Sequence, residues 1–97
     1  MLRHVVLLEF SDTIEPAQVE TIVSKLMGLR ETIPEIEAYS VGADVGISEG
    51  NSSFAIIGDF ADAAAYKVYA EDPVHLQVIA DHIKPFVTGR TAVQYEF

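Results

Sequence analysis

Two strand-like stretches of this chain, residues 3–10 (RHVVLLEF) and 53–60 (SFAIIGDF), are apolar on both faces. In the first, His4, Val6, Leu8 and Phe10 share one side while Val5 and Leu7 share the other; in the second, Phe54, Ile56 and Phe60 lie opposite Ala55 and Ile57. An antiparallel sheet with one wet face alternates apolar and polar residues, so this pattern calls for a cover on each side. The chain has 97 residues, 49% of them hydrophobic. A chain of that size buries only about 60–70% of the surface its unfolded form exposes. Its own helices cover one face of a small sheet. The other face is expected to pack on the same face of a second copy, giving a two-fold homodimer whose sheets close toward a barrel.

The remaining segments supply the cover on the first face. From Pro16 to about Thr32, Val19, Ile22, Val23, Leu26 and Leu29 recur at spacings of three and four, the helical period, and Ile33 continues the series. Pro16 suits the first helical position and Pro34 stops the helix. Residues 36–45 alternate loosely, residues 47–52 (ISEGNS) form a turn, and Gly50-Asn51 supply positive-φ positions for a hairpin-type connection to the strand at 53–60. A helix over 61–70 breaks at Asp72-Pro73 and restarts to about Lys84, with Asp72 as its cap. The closing strand, 86–97, places Val87, Thr91, Val93, Tyr95 and Phe97 along one face. The order β-α-β-β-α-β predicts an α+β fold of the ferredoxin-like type, a four-stranded antiparallel sheet with its helices on one side. It reads as one domain over residues 1–97.

Fifteen acidic against 6 basic side chains, a formal charge of −9, argue against nucleic acid and anionic membrane as partners. Arg3, Lys25, Arg30, Lys67, Lys84 and Arg90 are scattered, with no basic run. The apolar stretches fall far short of the ~20 residues a membrane span needs, and Met1-Leu2-Arg3-His4 lacks a signal-peptide core, so the expected location is the cytoplasm. With no cysteine, a disulfide framework, a thiolate nucleophile and a Cys-based zinc site are all excluded.

Among residues able to do chemistry, His75 stands out. With Asp72 as cap and Pro73 at the first helical position it sits third in the helix, where the dipole favours the neutral ring and Asp72 favours the cation. It serves either as a base near neutral pH or as a polar residue filling the helix start. Tyr66 and Tyr69, three apart on one helix face, both point toward the sheet, and the Tyr69 hydroxyl suits a developing oxyanion. His4 lies on an apolar strand face as a core or ligand residue. His82 falls on the same side as His75 but about 10 Å along the axis, and no His pair stands four apart, so no metal site is expected. Glu9, Asp44, Asp59 and Glu96 fall in strands, with Arg3 and Arg90 as their obvious counter-ions in salt bridges at a sheet edge or dimer seam. The serines lack a G-x-S-x-G context, and Gly42 to Gly46 lacks the Lys-Ser/Thr of a phosphate loop.

Several of these stretches together resemble the stress-responsive A/B barrel (Dabb) family. They are Arg3 to Phe10 with its early His, Ser11-Asp12, Tyr66 to Tyr69, Asp72-Pro73-Val74-His75, Lys84-Pro85 and Gln94-Tyr95. The Pro-x-His step preceded by a Tyr is the most specific of them. The resemblance implies a ferredoxin-like fold, a homodimeric α+β barrel and a pocket between sheet and helices. It leaves the activity open. One reading is a homodimer binding a small hydrophobic or aromatic ligand without turnover. The other is an enzyme like the plant polyketide cyclases of this family, which work without metal or organic cofactor, or like the related monooxygenases. On that reading His75 is the base and Tyr69 the oxyanion donor, with His4, Leu26, Phe54, Ile56 and Tyr66 as ligand contacts. Phe54 stands where the cyclases carry a second pocket His, Leu26 near a pocket Tyr, and Val87 near a late aromatic, so this pocket is drier than theirs.

Overall fold

The computed structural model describes residues 1–97. Strands β1 (Leu2–Phe10), β2 (Ala38–Ala43), β3 (Phe54–Phe60) and β4 (Val87–Glu96) form one antiparallel sheet in the order β2-β3-β1-β4. Helices α1 (Pro16–Thr32), α2 (Ala63–Glu71) and α3 (Pro73–Val78) complete the ferredoxin-like arrangement, and a π-helical turn over Ile79–Ile83 extends α3. β1 is central, hydrogen-bonded to β3 on one side and to β4 on the other, and both of its faces carry apolar side chains.

The helices cover the face of His4, Val6 and Leu8. Across the ladder those residues meet Gly58, Ile56 and Phe54 of β3. α1 buries Ile22, Leu26 and Leu29 against this face, with Phe54 and Phe60 among the other fully buried side chains. Its start is fixed by Pro16 and by Gln18, whose side chain accepts a hydrogen bond from the Glu15 amide at 2.7 Å. That reciprocal use of the third helical residue satisfies a donor that the first turn cannot pair internally.

Three details depart from the sequence reading. The connection from β2 to β3 is a long loop rather than a tight hairpin, and its positive-φ residues are Gly46 (φ 79°) and Gly50 (φ 82°); Asn51 is not one of them. Its side chain instead donates to Asp44 at 3.0 Å. A register shift between Glu9 and Phe10 breaks the alternation of β4, so Val87 pairs with Phe10 and faces the helices, while Thr91, Val93 and Tyr95 face the other way. The π turn likewise shifts the helical phase, so Ile83 is buried and His82 is turned off the stripe that carries His75.

The second face of the sheet has no cover within the chain. Val93 is 57% exposed, Phe97 57% and Tyr95 45%, beside Leu7 at 37%. Among them Arg3 clamps Asp59 through two hydrogen bonds of 2.7 and 2.9 Å and lies 4.4 Å from the centre of the Phe97 ring. The guanidinium holds the Asp59 carboxyl below its ordinary range. Arg90, the other expected counter-ion, pairs with no carboxylate.

Candidate functional site

Between the sheet and α1, α2, α3 and the π turn lies a cavity of about 300 Å³, lined mostly by apolar side chains. His4, Val6 and Leu8 contribute from β1, Ile56 from β3, Leu26 from α1, Tyr66 and Tyr69 from α2, and His75 and Leu76 from α3. The π turn adds Ile79 and Ile83. Its signature bond, the Lys84 amide donating to the Ile79 carbonyl at 2.8 Å, widens the helix by one residue and brings both isoleucines onto the cavity wall.

His75 is placed by its own helix start. The Asp72 carboxylate accepts from the amides of Val74 (2.8 Å) and His75 (3.1 Å), so the break between α2 and α3 is a capped joint and not a disordered one. The imidazole itself takes no part in that cap. It stacks on the Tyr69 ring, centroids 4.1 Å apart and planes inclined by 30°. Its Nδ1 is buried and has no hydrogen-bond partner of good geometry. Burial lowers the His75 pKa, with the nearby carbonyls of Ala70 and Tyr69 and the Asp72 charge pulling weakly the other way. Burial therefore decides the contest that the helix position left open, in favour of the neutral ring.

Tyr69 is 3% exposed and its hydroxyl lies 2.7 Å from that of Tyr39 on β2. When Tyr39 donates, the Tyr69 proton remains for a third group. Burial pushes the Tyr69 hydroxyl up to about 12, so it stays a donor across the ordinary pH range. His4 completes the polar wall. Its ring lies 4.8 Å from Tyr66, the Gln94 side-chain amide lies 3.0 Å from its Nδ1, and burial, aided by Arg90 and His75, lowers its pKa to about 4.

Six of the seven residues singled out from sequence meet at this cavity: His4, Leu26, Ile56, Tyr66, Tyr69 and His75. Phe54 does not. It packs against Phe10, ring centroids 5.5 Å apart, as a core residue one strand step beyond the cavity wall. Tyr39 was not singled out, Arg90 was read only as a counter-ion for strand carboxylates, and Lys84 only as part of the Lys84-Pro85 stretch. Tyr39 reads as an ordinary alternating strand residue, and its partner is thirty positions away. No group of three or more His, Asp or Glu side chains converges closely enough to hold a metal ion, and no helix is long and apolar enough to cross a membrane.

The fold that carries this cavity has known counterparts. The family model of the stress responsive A/B barrel domain matches residues 2–97. Among solved structures, the chain is similar to a dimeric ferredoxin-like protein of unknown function from Thermobifida fusca, with 35% identity and a TM-score of 0.90 over 99% of this chain and 90% of that one. It also superposes on a Dabb family protein with a ferredoxin-like fold from Mesorhizobium loti (19% identity, TM-score 0.80, 99% and 95% covered). A hydroxynitrile lyase from Passiflora edulis shares the fold as well (19% identity, TM-score 0.82, 97% and 90% covered). No curated protein matches the sequence.

Proposed function

The chain belongs to the stress responsive A/B barrel domain family, and from that premise we propose that it is a homodimer that binds a small hydrophobic molecule in the cavity between its sheet and helices. The cavity carries this reading. It is about 300 Å³, walled mainly by aliphatic and aromatic side chains, and it gathers a few polar groups at one place. That combination is the usual signature of a small-molecule site. His75 and Tyr69 meet the polar group of the ligand, while Leu26, Ile56, Tyr66 and the edge of His4 hold its apolar body. The buried Nδ1 of His75, which has no partner of good geometry beside the nearby Ala70 and Tyr69 carbonyls, supports this assignment as a polar atom available to a ligand. The dimer is supported by the uncovered apolar face of the sheet and by the dimeric Thermobifida fusca relative.

The test is a titration of isotope-labelled protein with phenylbutanol, followed by amide and ring resonances. Binding in the cavity shifts Tyr66, Tyr69 and His75. Shifts confined to Val93, Tyr95 and Phe97, or none at all, would refute the reading.

The stacked pair favours a second reading, turnover. An imidazole that burial keeps from protonating, stacked on a phenol that shares a hydrogen bond with a second phenol, is a base next to a donor in the arrangement where Tyr39 donates to Tyr69. On a cyanohydrin, the substrate class of the lyase that shares the fold, His75 takes the hydroxyl proton as the carbon–cyanide bond breaks and the carbonyl forms with Tyr69 steadying its oxygen. The imidazolium then returns the proton to cyanide, which leaves as hydrogen cyanide. Release of benzaldehyde from mandelonitrile, lost in His75→Ala and reduced in Tyr69→Phe, would establish it; equal rates with and without protein would exclude it for this substrate class.

A further inference from the structure

The chain has 15 acidic and 6 basic side chains, yet no acidic residue lines the cavity between sheet and helices, and two of the six basic ones do. Arg90 reaches it from β4 and Lys84 from the end of the π turn, both exposed to solvent, so they stand where the cavity meets water. Neither lies within salt-bridge distance of a carboxylate; the sole ion pair of the chain is Arg3 with Asp59, on the opposite face. At the joint between α2 and α3, the Asp72 carboxylate is engaged by the amides of Val74 and His75.

The placement of Arg90 is built into the strand. The regular register with β1 sets Arg90 opposite Leu8 and so toward the helices, and the shift at Glu9 and Phe10 turns Val87 to the same side, opposite Phe10, with Gly89 between them opposite Glu9. A regular strand turns residues three apart to opposite faces, so an irregularity of this kind is the device that aims a side chain at a site. The charge of Arg90 is felt inside, where it contributes to the lowered His4 pKa and draws down that of Tyr69. In a protein whose overall charge of −9 repels anions, a local cationic mouth over an apolar interior is a selective feature.

We propose that this cavity selects apolar molecules bearing one anionic head, a carboxylate being the simplest, with Arg90 and Lys84 holding the head at the mouth while the body lies against Leu26, Ile56 and Ile79. The inference rests on the cavity being a ligand site and adds the class of ligand. The planar guanidinium of Arg90 matches a carboxylate in two-point geometry, and Lys84 supplies a point charge. The anionic head is thus a second polar group, met at the mouth, and a neutral hydroxyl or carbonyl at the opposite end, in ligands that carry one, meets the His75–Tyr69 stack.

The test compares phenylbutyrate with phenylbutanol, which share one body and differ in the charged head, by calorimetry and by resonance shifts at neutral pH. The acid binds about tenfold tighter than the alcohol, the difference expected of a charge-assisted contact at a partly exposed site. Arg90→Gln combined with Lys84→Gln abolishes that advantage, so that acid and alcohol bind the variant equally, and added salt erodes it in the wild type. Equal binding of acid and alcohol at Tyr66, Tyr69 and His75 overturns the anionic class while the cavity stands as a ligand site. An advantage that survives the double substitution overturns the assignment to Arg90 and Lys84. Failure of both probes to move the cavity residues overturns this inference and the reading beneath it together.

Discussion

At the scale of single residues, the chemistry of the site is set by burial. His4 and His75 both have pKa values lowered chiefly by loss of water, His4 to about 4. A folded state that resists a proton the unfolded chain accepts at about 6.5 is at full stability above that value and loses stability as pH falls toward 4. Asp59, also depressed, begins to matter only lower still, below the ordinary carboxylate value of 3.8. The thermal midpoint is therefore expected to fall between pH 7 and pH 4.5, and His4→Gln to flatten that slope; an unchanged slope would mean that His4 is not held neutral. His75→Phe probes the other histidine. Phe keeps the stack on Tyr69 and removes the unpartnered Nδ1, so the melting temperature is expected to hold or rise while phenylbutanol binding weakens. A large drop in melting temperature would assign the ring a structural role instead. His75 and Tyr69 were legible because the Asp-Pro-x-His step fixes a helix start by local rules. Tyr39 was not, because its hydroxyl partner lies on a different element and nothing local marks it.

At the scale of elements, the joint between α2 and α3 organises the cavity. One carboxylate caps α3 through two amides, and the same residue closes α2 with its own amide on the Tyr69 carbonyl at 3.3 Å. Asp72→Ala is expected to be destabilising by about 1 kcal/mol. For a domain near this size that is roughly 4–8 °C in melting temperature by circular dichroism. Asp72→Asn, which caps equally well, should restore most of it. Since the cap also aims His75, the Ala variant should bind phenylbutanol more weakly and the Asn variant normally. The joint could be read from the sequence because Asp and Pro announce it. The π turn could not: a 3.6-residue period carries the stripe of His75 on to His82, and only the extra residue in the turn rotates Ile83 inward and His82 away. The shifted register of β4 was hidden for the same reason, since a bulge leaves alternation intact on each side of it and changes only the phase between them.

At the scale of the whole molecule, the two-sided apolar strands that open the chain find a cover on one side only. Leu7, Val93, Tyr95 and Phe97 are exposed together, the two-point clamp matches Arg3 with Asp59 among them, and the exposed Glu9 at the end of β1 is the remaining charge on this face of the strand. A second copy laid on this face would leave no charge of that pair unpartnered, and burial of a fully satisfied pair avoids the large penalty of a lone buried ion. Because each copy carries a net charge of −9, mutual repulsion opposes assembly and added salt should favour it. The expected mass in solution at micromolar concentration is twice 10.6 kDa by light scattering. Leu7 sits near the middle of the face, opposite Ala55 on one side and Thr91 on the other. Leu7→Glu places two carboxylates against one another across the two-fold axis, which should return the chain to 10.6 kDa and lower its melting temperature. Leu76→Glu, at a leucine still more exposed but on the helix side, should leave the mass unchanged. A wild-type mass of 10.6 kDa, or a Leu7→Glu variant that keeps the doubled mass, would remove this face as the dimer seam.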